Sequence, residues 1–297
     1  MPLKDSFPYR AVRYAFRLPG RLYSKYITEP IVKRWIRTSD MTVFVHDPER
    51  GLLRPVVEGE RLKWTLNANL AVDATYWLDV IEPLLTKEDI VFDVGTNIGT
   101  VANWFSKRTK HVYGFEPHPD NIRITQDQIL LRQSTNITLS QIALGSELGT
   151  LPLHVKSFHG HHSFGNTAAS PTVEIIEVEV GTVDQFCSTN GIERIDFLKI
   201  DVEGYEEDVL QGASTMLSNQ SIGLVLFELR HSILTSVGKN TQDIFTPLVQ
   251  HGYTVFTLNG RTLTVAELER PMDADYLAAV NPEEYIPRLG TSSAPVL

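Results

Sequence analysis

One cysteine, Cys187, stands among 297 residues. That excludes an intramolecular disulfide and fits a reducing compartment such as the cytoplasm. No apolar run approaches the roughly 18 residues of a membrane span, and no charged start leads into the apolar core of a secretory signal. Cysteine–histidine sets with zinc spacing are missing too, so no metal is expected. Basic charge is scarce, with a formal net charge of −9. Residues 1–38 hold nine Lys and Arg against Asp5 and Glu29, a local +7, so the remainder carries −16. An acidic body argues against a phosphate-rich polymer as the substrate, and no nucleic-acid partner is expected.

Two nucleotide signatures are also missing. No Gly-x-Gly-x-x-Gly turn and no Gly-Lys-Ser/Thr phosphate loop occurs where a ligand turn is otherwise well marked. That turn spans residues 90–99, Ile-Val-Phe-Asp-Val-Gly-Thr-Asn-Ile-Gly. Apolar residues run into Asp93, and Gly95 and Gly99 punctuate a turn before a helical pattern. The reading is a buried parallel strand, a tight turn and the start of a crossover helix. Glycines there let backbone approach a ligand and tolerate positive φ. An acid with two glycines suits a ligand with a cationic head, and S-adenosylmethionine carries an ammonium and a sulfonium.

The pattern along the chain predicts an α/β fold. From residue 86, strands 90–94, 111–115, 137–142, 195–200, 222–228, 252–258 and 275–280 alternate with helices 98–108, 119–132, 204–217 and 241–250. Such alternation implies a seven-stranded, mostly parallel sheet with helices on both faces, the last two strands forming a hairpin at one edge. Two strand-like runs, Gly149–Val155 and Val173–Val180, interrupt the series, with a bulge expected at Ile175-Ile176. Residues 1–85 read as an extension with basic helices, a hairpin within 41–66 and a helix over 75–82, serving as a lid or an oligomer contact. The catalytic domain is expected over 86–285, with a frayed tail at 286–297. Aromatic residues interleave with arginines in residues 1–38, which makes peripheral contact with an anionic membrane one reading and docking on the acidic body or a second subunit, as in a homodimer, another.

Glu116, in Phe115-Glu-Pro-His-Pro119, falls at the carboxyl end of the second strand, 17 residues after Gly99. A carboxylate there can accept hydrogen bonds from both ribose hydroxyls, and it can equally sit as an acid before the helix at Pro119. Pro117 lies beside it, and small residues around Ala143 leave room for an adenine ring. Lys199, inside the apolar strand of Asp196-Phe-Leu-Lys-Ile-Asp-Val-Glu-Gly204, is costly unless paired, with Asp201, Glu203 and Glu228 as partners at hand. No Asn/Asp-Pro-Pro-Tyr/Phe element is present to grip a nucleobase amine.

These segments, with Thr182-Val-Asp184 and Val209-Leu-Gln-Gly-Ala213, resemble the FkbM family of S-adenosylmethionine-dependent methyltransferases over about residues 88–260. The resemblance implies a class I methyltransferase (Rossmann-like) fold and O-methylation of hydroxyls on sugars, glycolipids or polyketide-type natural products. It implies that Asp93, Gly95, Asn97, Gly99 and Glu116 hold the cofactor. Thr96 stands where the family often has alanine, and residues 1–85 are poorly covered. A nucleotide-dependent oxidoreductase and a non-catalytic cofactor-binding scaffold are the competing classes; the first lacks the third glycine of its turn.

Transfer to an alcohol gains from a base within hydrogen-bond reach. His231, just past Glu228, is the first candidate, with Asp201, Glu228 and Lys199 around it. His161 and His162 are the second, and with Ser163 they are also candidates for contacting a small-molecule or glycan acceptor. Glu203, Trp64 and Tyr76 complete the acceptor candidates.

Overall fold

The computed structural model describes residues 44–47, 52–55, 77–156 and 172–290. Strands β1 (Phe44–Asp47) and β2 (Leu52–Pro55) pair antiparallel, forming the expected small hairpin. Then come α1 (Leu78–Ile81), β3 (Ile90–Val94), α2 (Thr100–Ser106), β4 (His111–Phe115), α3 (Pro119–Arg132) and β5 (Ile137–Ser140). A second sheet is built from β6 (Ala143–Leu144), β7 (Gly149–Lys156) and β8 (Thr172–Gly181). The first series resumes with α4 (Val183–Asn190), β9 (Ile195–Ile200), α5 (Glu206–Gln211), α6 (Ser214–Ser218) and β10 (Ile222–Leu229). It ends with α7 (His231–Ser236), α8 (Thr246–Gln250), β11 (Thr254–Thr257), α9 (Val265–Glu269) and β12 (Ala274–Ala279).

The main sheet has seven strands in the order β11-β12-β10-β9-β3-β4-β5. β12 runs antiparallel to both neighbours, while the other described pairs are parallel. This is the class I methyltransferase arrangement. The central strands β3, β9, β10 and β12 bury both faces, as their near-continuous apolar runs require. Phe92, Val94, Leu198 and Ile200 face a cluster with Val209, Leu210 and Leu248; Val91 and Phe197 face another with Trp104, Phe105 and Phe256. Chain order reverses at β3, which lies between β4 and β9, and such switch points are where open α/β sheets bind ligands.

Several boundaries differ from the sequence reading for visible reasons. The helix expected at 98 starts at Thr100, because Gly99 before it takes φ +80°. The helix expected over 204–217 is split into α5 and α6. At the break, a Cβ on Gly212 would meet the Gly145 carbonyl oxygen at 2.0 Å. The helix expected over 241–250 is a 3-10 turn, Asp243–Phe245, followed by α8. The bulge lies not at Ile175-Ile176 but where Val155 pairs with Glu174 and Lys156 with Thr172, so Val173 is the extra residue. Trp77, Val80, Ile81 and Leu84 are buried in the core beside Phe105, and Arg288 donates to the Leu84 carbonyl. Residues 77–84 therefore pack as part of the body rather than as a lid, and the chain stays anchored past 286 in a 3-10 turn, Ile286–Arg288. Among the described residues no helix is long and apolar enough to cross a membrane. The basic segment 1–38 lies outside them.

Candidate active site

The turn after β3 is built by backbone that only permissive residues adopt easily. Gly95, Asn97 and Gly99 have φ of +78°, +53° and +80°. The amides of Gly95 and Thr96 both donate to the Phe115 carbonyl at 3.0 Å, which stitches the turn to β4. Thr96 Oγ1 donates to the Asp93 carbonyl at 2.7 Å and is buried, so Thr96 braces the turn from beneath. A Cβ on Gly95 would stand 1.8 Å from the Asp201 carbonyl oxygen. The missing side chain there lets the β3 and β9 loops come into contact within the chain.

Beneath this contact sits a buried charge cluster. Lys199 Nζ lies 3.0 Å from Asp93 Oδ1 and 3.5 Å from Asp201 Oδ2, and donates to the Gly95 carbonyl at 2.9 Å. Burial pulls the Lys199 pKa down, but Asp93 and Asp201 outweigh it and hold the ammonium charged. Asp93 has no exposed surface, and neither of its carboxylate oxygens has a partner in hydrogen-bonding geometry despite the short ion pair. Of the partners foreseen for Lys199, Asp201 is confirmed, but Glu228 pairs with Arg230 at 2.7 Å instead. Asp93 takes the leading place because the parallel register sets it directly beside Lys199. The Asp201 side chain is 45% exposed, so it is the member of this cluster a ligand can touch.

Glu116 is buried at the end of β4. Its Oε2 accepts from the Asn97 amide at 2.9 Å, and its Oε1 from the His118 amide at 2.9 Å and Asn121 Nδ2 at 3.3 Å. Burial raises its pKa to about 7 against these donors. Three of about four acceptor positions are thus taken by the protein, leaving capacity for a further donor. Pro117 is half-buried, and Ala143 is buried in β6 opposite Val180.

The β9 loop is held by a residue that sequence reasoning missed. Glu206 Oε1 accepts from the amides of Val202 and Gly204, each at 3.1 Å, while burial lifts its pKa to about 7. The only signal for it is an acid in the first turn after a glycine. Glu203, at φ +54°, and Glu228 crowd Asp201; burial first, then repulsion from Asp201, pushes them to about 8 and about 9. Glu228 follows Phe227, which pairs with Ile200, so it ends level with Asp201. His231, three residues on, is half-buried and bonded through Nδ1 to Asp273 at 2.5 Å. His161, His162, Ser163, Trp64 and Tyr76 lie outside the described residues, within which no group of acids, histidines or cysteine is arranged to hold a metal.

The sequence profile described as "Methyltransferase FkbM domain" matches residues 93–255. A hexuronic acid methyltransferase of Haloferax volcanii is 30% identical over 161 residues, 52% of this chain and 63% of that protein. A 2-O-methyltransferase of Sinorhizobium fredii is 27% identical over 155 residues, 46% of this chain and 63% of that protein. The aligned part thus spans under two thirds of these relatives' length. The crystal structure of an FkbM methyltransferase from Methylobacillus flagellatus superimposes with a TM-score of 0.42 at 14% identity, covering 92% of this chain and 58% of that one. With the profile opening on Asp93 and running through the Glu116, Lys199 and Glu228 strand ends, the chain belongs to the FkbM family of S-adenosylmethionine-dependent methyltransferases.

Proposed function

We propose that this chain transfers a methyl group from S-adenosylmethionine to a hydroxyl of a sugar or sugar-bearing acceptor. The observation that carries the reading is the meeting of the β3 turn with Glu116 through the Asn97 amide at the switch point of the sheet. The residues present fit the donor. Asp201 presents an exposed carboxylate suited to a cationic head, held in place by Lys199, which Asp93 pairs from inside the sheet. Gly95, Asn97 and Gly99 would hold the methionine end, Glu116 the ribose, and Pro117 and Ala143 the adenine side, with Thr96 supporting from below. When bound, the donor supplies a methyl carbon already activated by its sulfonium.

The chain's own contribution is position and proton control. Holding the acceptor oxygen about 3 Å from the methyl carbon is worth up to roughly 7–11 kcal/mol. A base adds on the order of 10²–10⁴-fold. Lys199 is too buried to touch an acceptor, so it acts by holding Asp93, Gly95 and Asp201 in place. His231 is the candidate base, with Glu228 and Glu203 lining the same rim and His161, His162, Ser163, Trp64 and Tyr76 as acceptor contacts. The names of the two curated relatives support a sugar acceptor: one acts on a hexuronic acid, the other is a 2-O-methyltransferase.

The test is incubation with labelled methyl donor and a panel of hexoses, hexuronic acids and polyketide alcohols, followed by alkali. Alkali-stable label on a sugar is expected, since an ether survives. Label lost to alkali would mean a methyl ester on a carboxylate, and no label on any sugar would overturn the reading. The basic segment 1–38 is proposed to bind anionic vesicles, which co-sedimentation with the full chain would reveal.

A further inference from the structure

Asp273 had no place in the sequence reading, since it lies 42 residues from His231. Antiparallel pairing of β12 with β10 brings the two together: Leu229 pairs with Ala274, so the residue before β12 meets the residues after β10. One oxygen, Asp273 Oδ1, accepts from the His231 backbone amide at 2.7 Å and bonds its ring Nδ1 at 2.5 Å. Burial opposes the ionised form of Asp273, but these two bonds, then the charges of His231 when protonated and of nearby Arg230, outweigh it and hold its pKa low. In the neutral ring this carboxylate, which only accepts, selects the form with the proton on Nδ1 and leaves Nε2 as the acceptor. The helix that carries His231 is seated on the signature loop: a Cβ on Gly204 would stand 3.0 Å from Ile233 Cγ2. Glu228, Glu203, Asp201 and Asp275 are the other charged groups at these strand ends, with Arg230 bonded to Glu228 and 4.0 Å from Asp275.

We propose that Asp273 is a positioning residue that fixes the His231 tautomer, so that His231 Nε2 accepts the acceptor's hydroxyl proton during methyl transfer. The inference rests on the transferase reading above. In the step, an oxygen lone pair forms the new bond to the methyl carbon while the carbon–sulfur bond breaks toward sulfur. The sulfonium becomes a neutral thioether, the hydroxyl proton passes to Nε2, and solvent removes it afterwards. A tether that merely caps the short helix α7 would need only the backbone bond, whereas the ring bond is what sets the tautomer.

The experiment is nitrogen NMR of ring-labelled histidine in the full chain, with and without S-adenosylhomocysteine, alongside kinetics. In the native protein His231 is expected to show Nδ1–H and bare Nε2; in Asp273→Ala the Nε2–H form should take over. Turnover should fall on the order of 10²–10⁴-fold, with acceptor KM and S-adenosylhomocysteine affinity within about twofold, and Asp273→Glu should recover part of it. His231→Asn, which keeps the backbone bond, should lose turnover alike and carries the test should Asp273→Ala not fold. An unchanged tautomer, or turnover that falls only in step with cofactor affinity, overturns the proposal. If no acceptor is methylated at all, the transferase reading fails, and the tautomer still decides whether Asp273 sets the ring.

Discussion

Lys199 and Asp93 face each other from adjacent parallel strands, ammonium to carboxylate at 3.0 Å, with both side chains nearly or wholly shut off from water. A pair so placed adds little by itself, because desolvation offsets its attraction; removing one member leaves a bare buried charge. The same ammonium reaches the Gly95 carbonyl and Asp201, so the pair ties both loops of the site to the sheet.

Lys199→Met is accordingly expected to cost about 3–5 kcal/mol, measured by urea unfolding. Asp93→Leu combined with Lys199→Met should cost less than the single change. A loss under about 1 kcal/mol for Lys199→Met alone would contradict the pairing.

The glycines separate two kinds of requirement. Gly191 ends α4 at φ +65° with open space around it, so Gly191→Ala should cost only the left-handed penalty of about 1 kcal/mol. At Gly95 the same conformation combines with a Cβ position 1.8 Å from backbone that cannot step aside. Gly95→Ala should therefore lower the unfolding temperature far more and abolish cofactor binding, as a thermal shift assay would show.

Among the described residues four glutamates have raised pKa values, Glu116 and Glu206 about 7, Glu203 about 8 and Glu228 about 9, burial being the main cause in each. Their unfolded values lie near 4.3, so above that pH the folded state binds more protons than the unfolded one. Stability from these groups is complete below their unfolded pKa and is lost as pH rises toward the folded values. The urea midpoint without ligand should be higher at about pH 5.5 than at about pH 8.5. Glu206→Gln keeps an oxygen for both amides and should shrink that difference, while Glu206→Ala strands the buried Gly204 amide at about 1–3 kcal/mol and the half-buried Val202 amide at less. A midpoint that rises with pH would contradict the assignment.

The main sheet was legible because parallel strands buried on both faces leave continuous apolar runs, and Phe92, Phe197 and Phe227 sit in such runs. Helix ends were less so. The break between α5 and α6 falls at Gly212, where a Cβ would meet the Gly145 carbonyl, a contact that no local pattern records. In the site, Asp93 and Glu116 were visible as acids at strand ends. The pairings were not: Lys199 reaches Asp93 across the sheet, and Asp273 reaches His231 only through the antiparallel return of β12. Charge pairing over such separations depends on strand order, which sequence spacing does not encode.

The most direct test of the account is calorimetric titration of the full chain with S-adenosylhomocysteine and with NAD, repeated in Glu116→Gln. That change keeps the cavity but turns one oxygen into an amide facing the Asn97 N–H. One S-adenosylhomocysteine per chain, no NAD, and an affinity lowered roughly 10–100-fold in the variant are predicted. Absence of S-adenosylhomocysteine binding, or binding that Glu116→Gln leaves untouched, would contradict it.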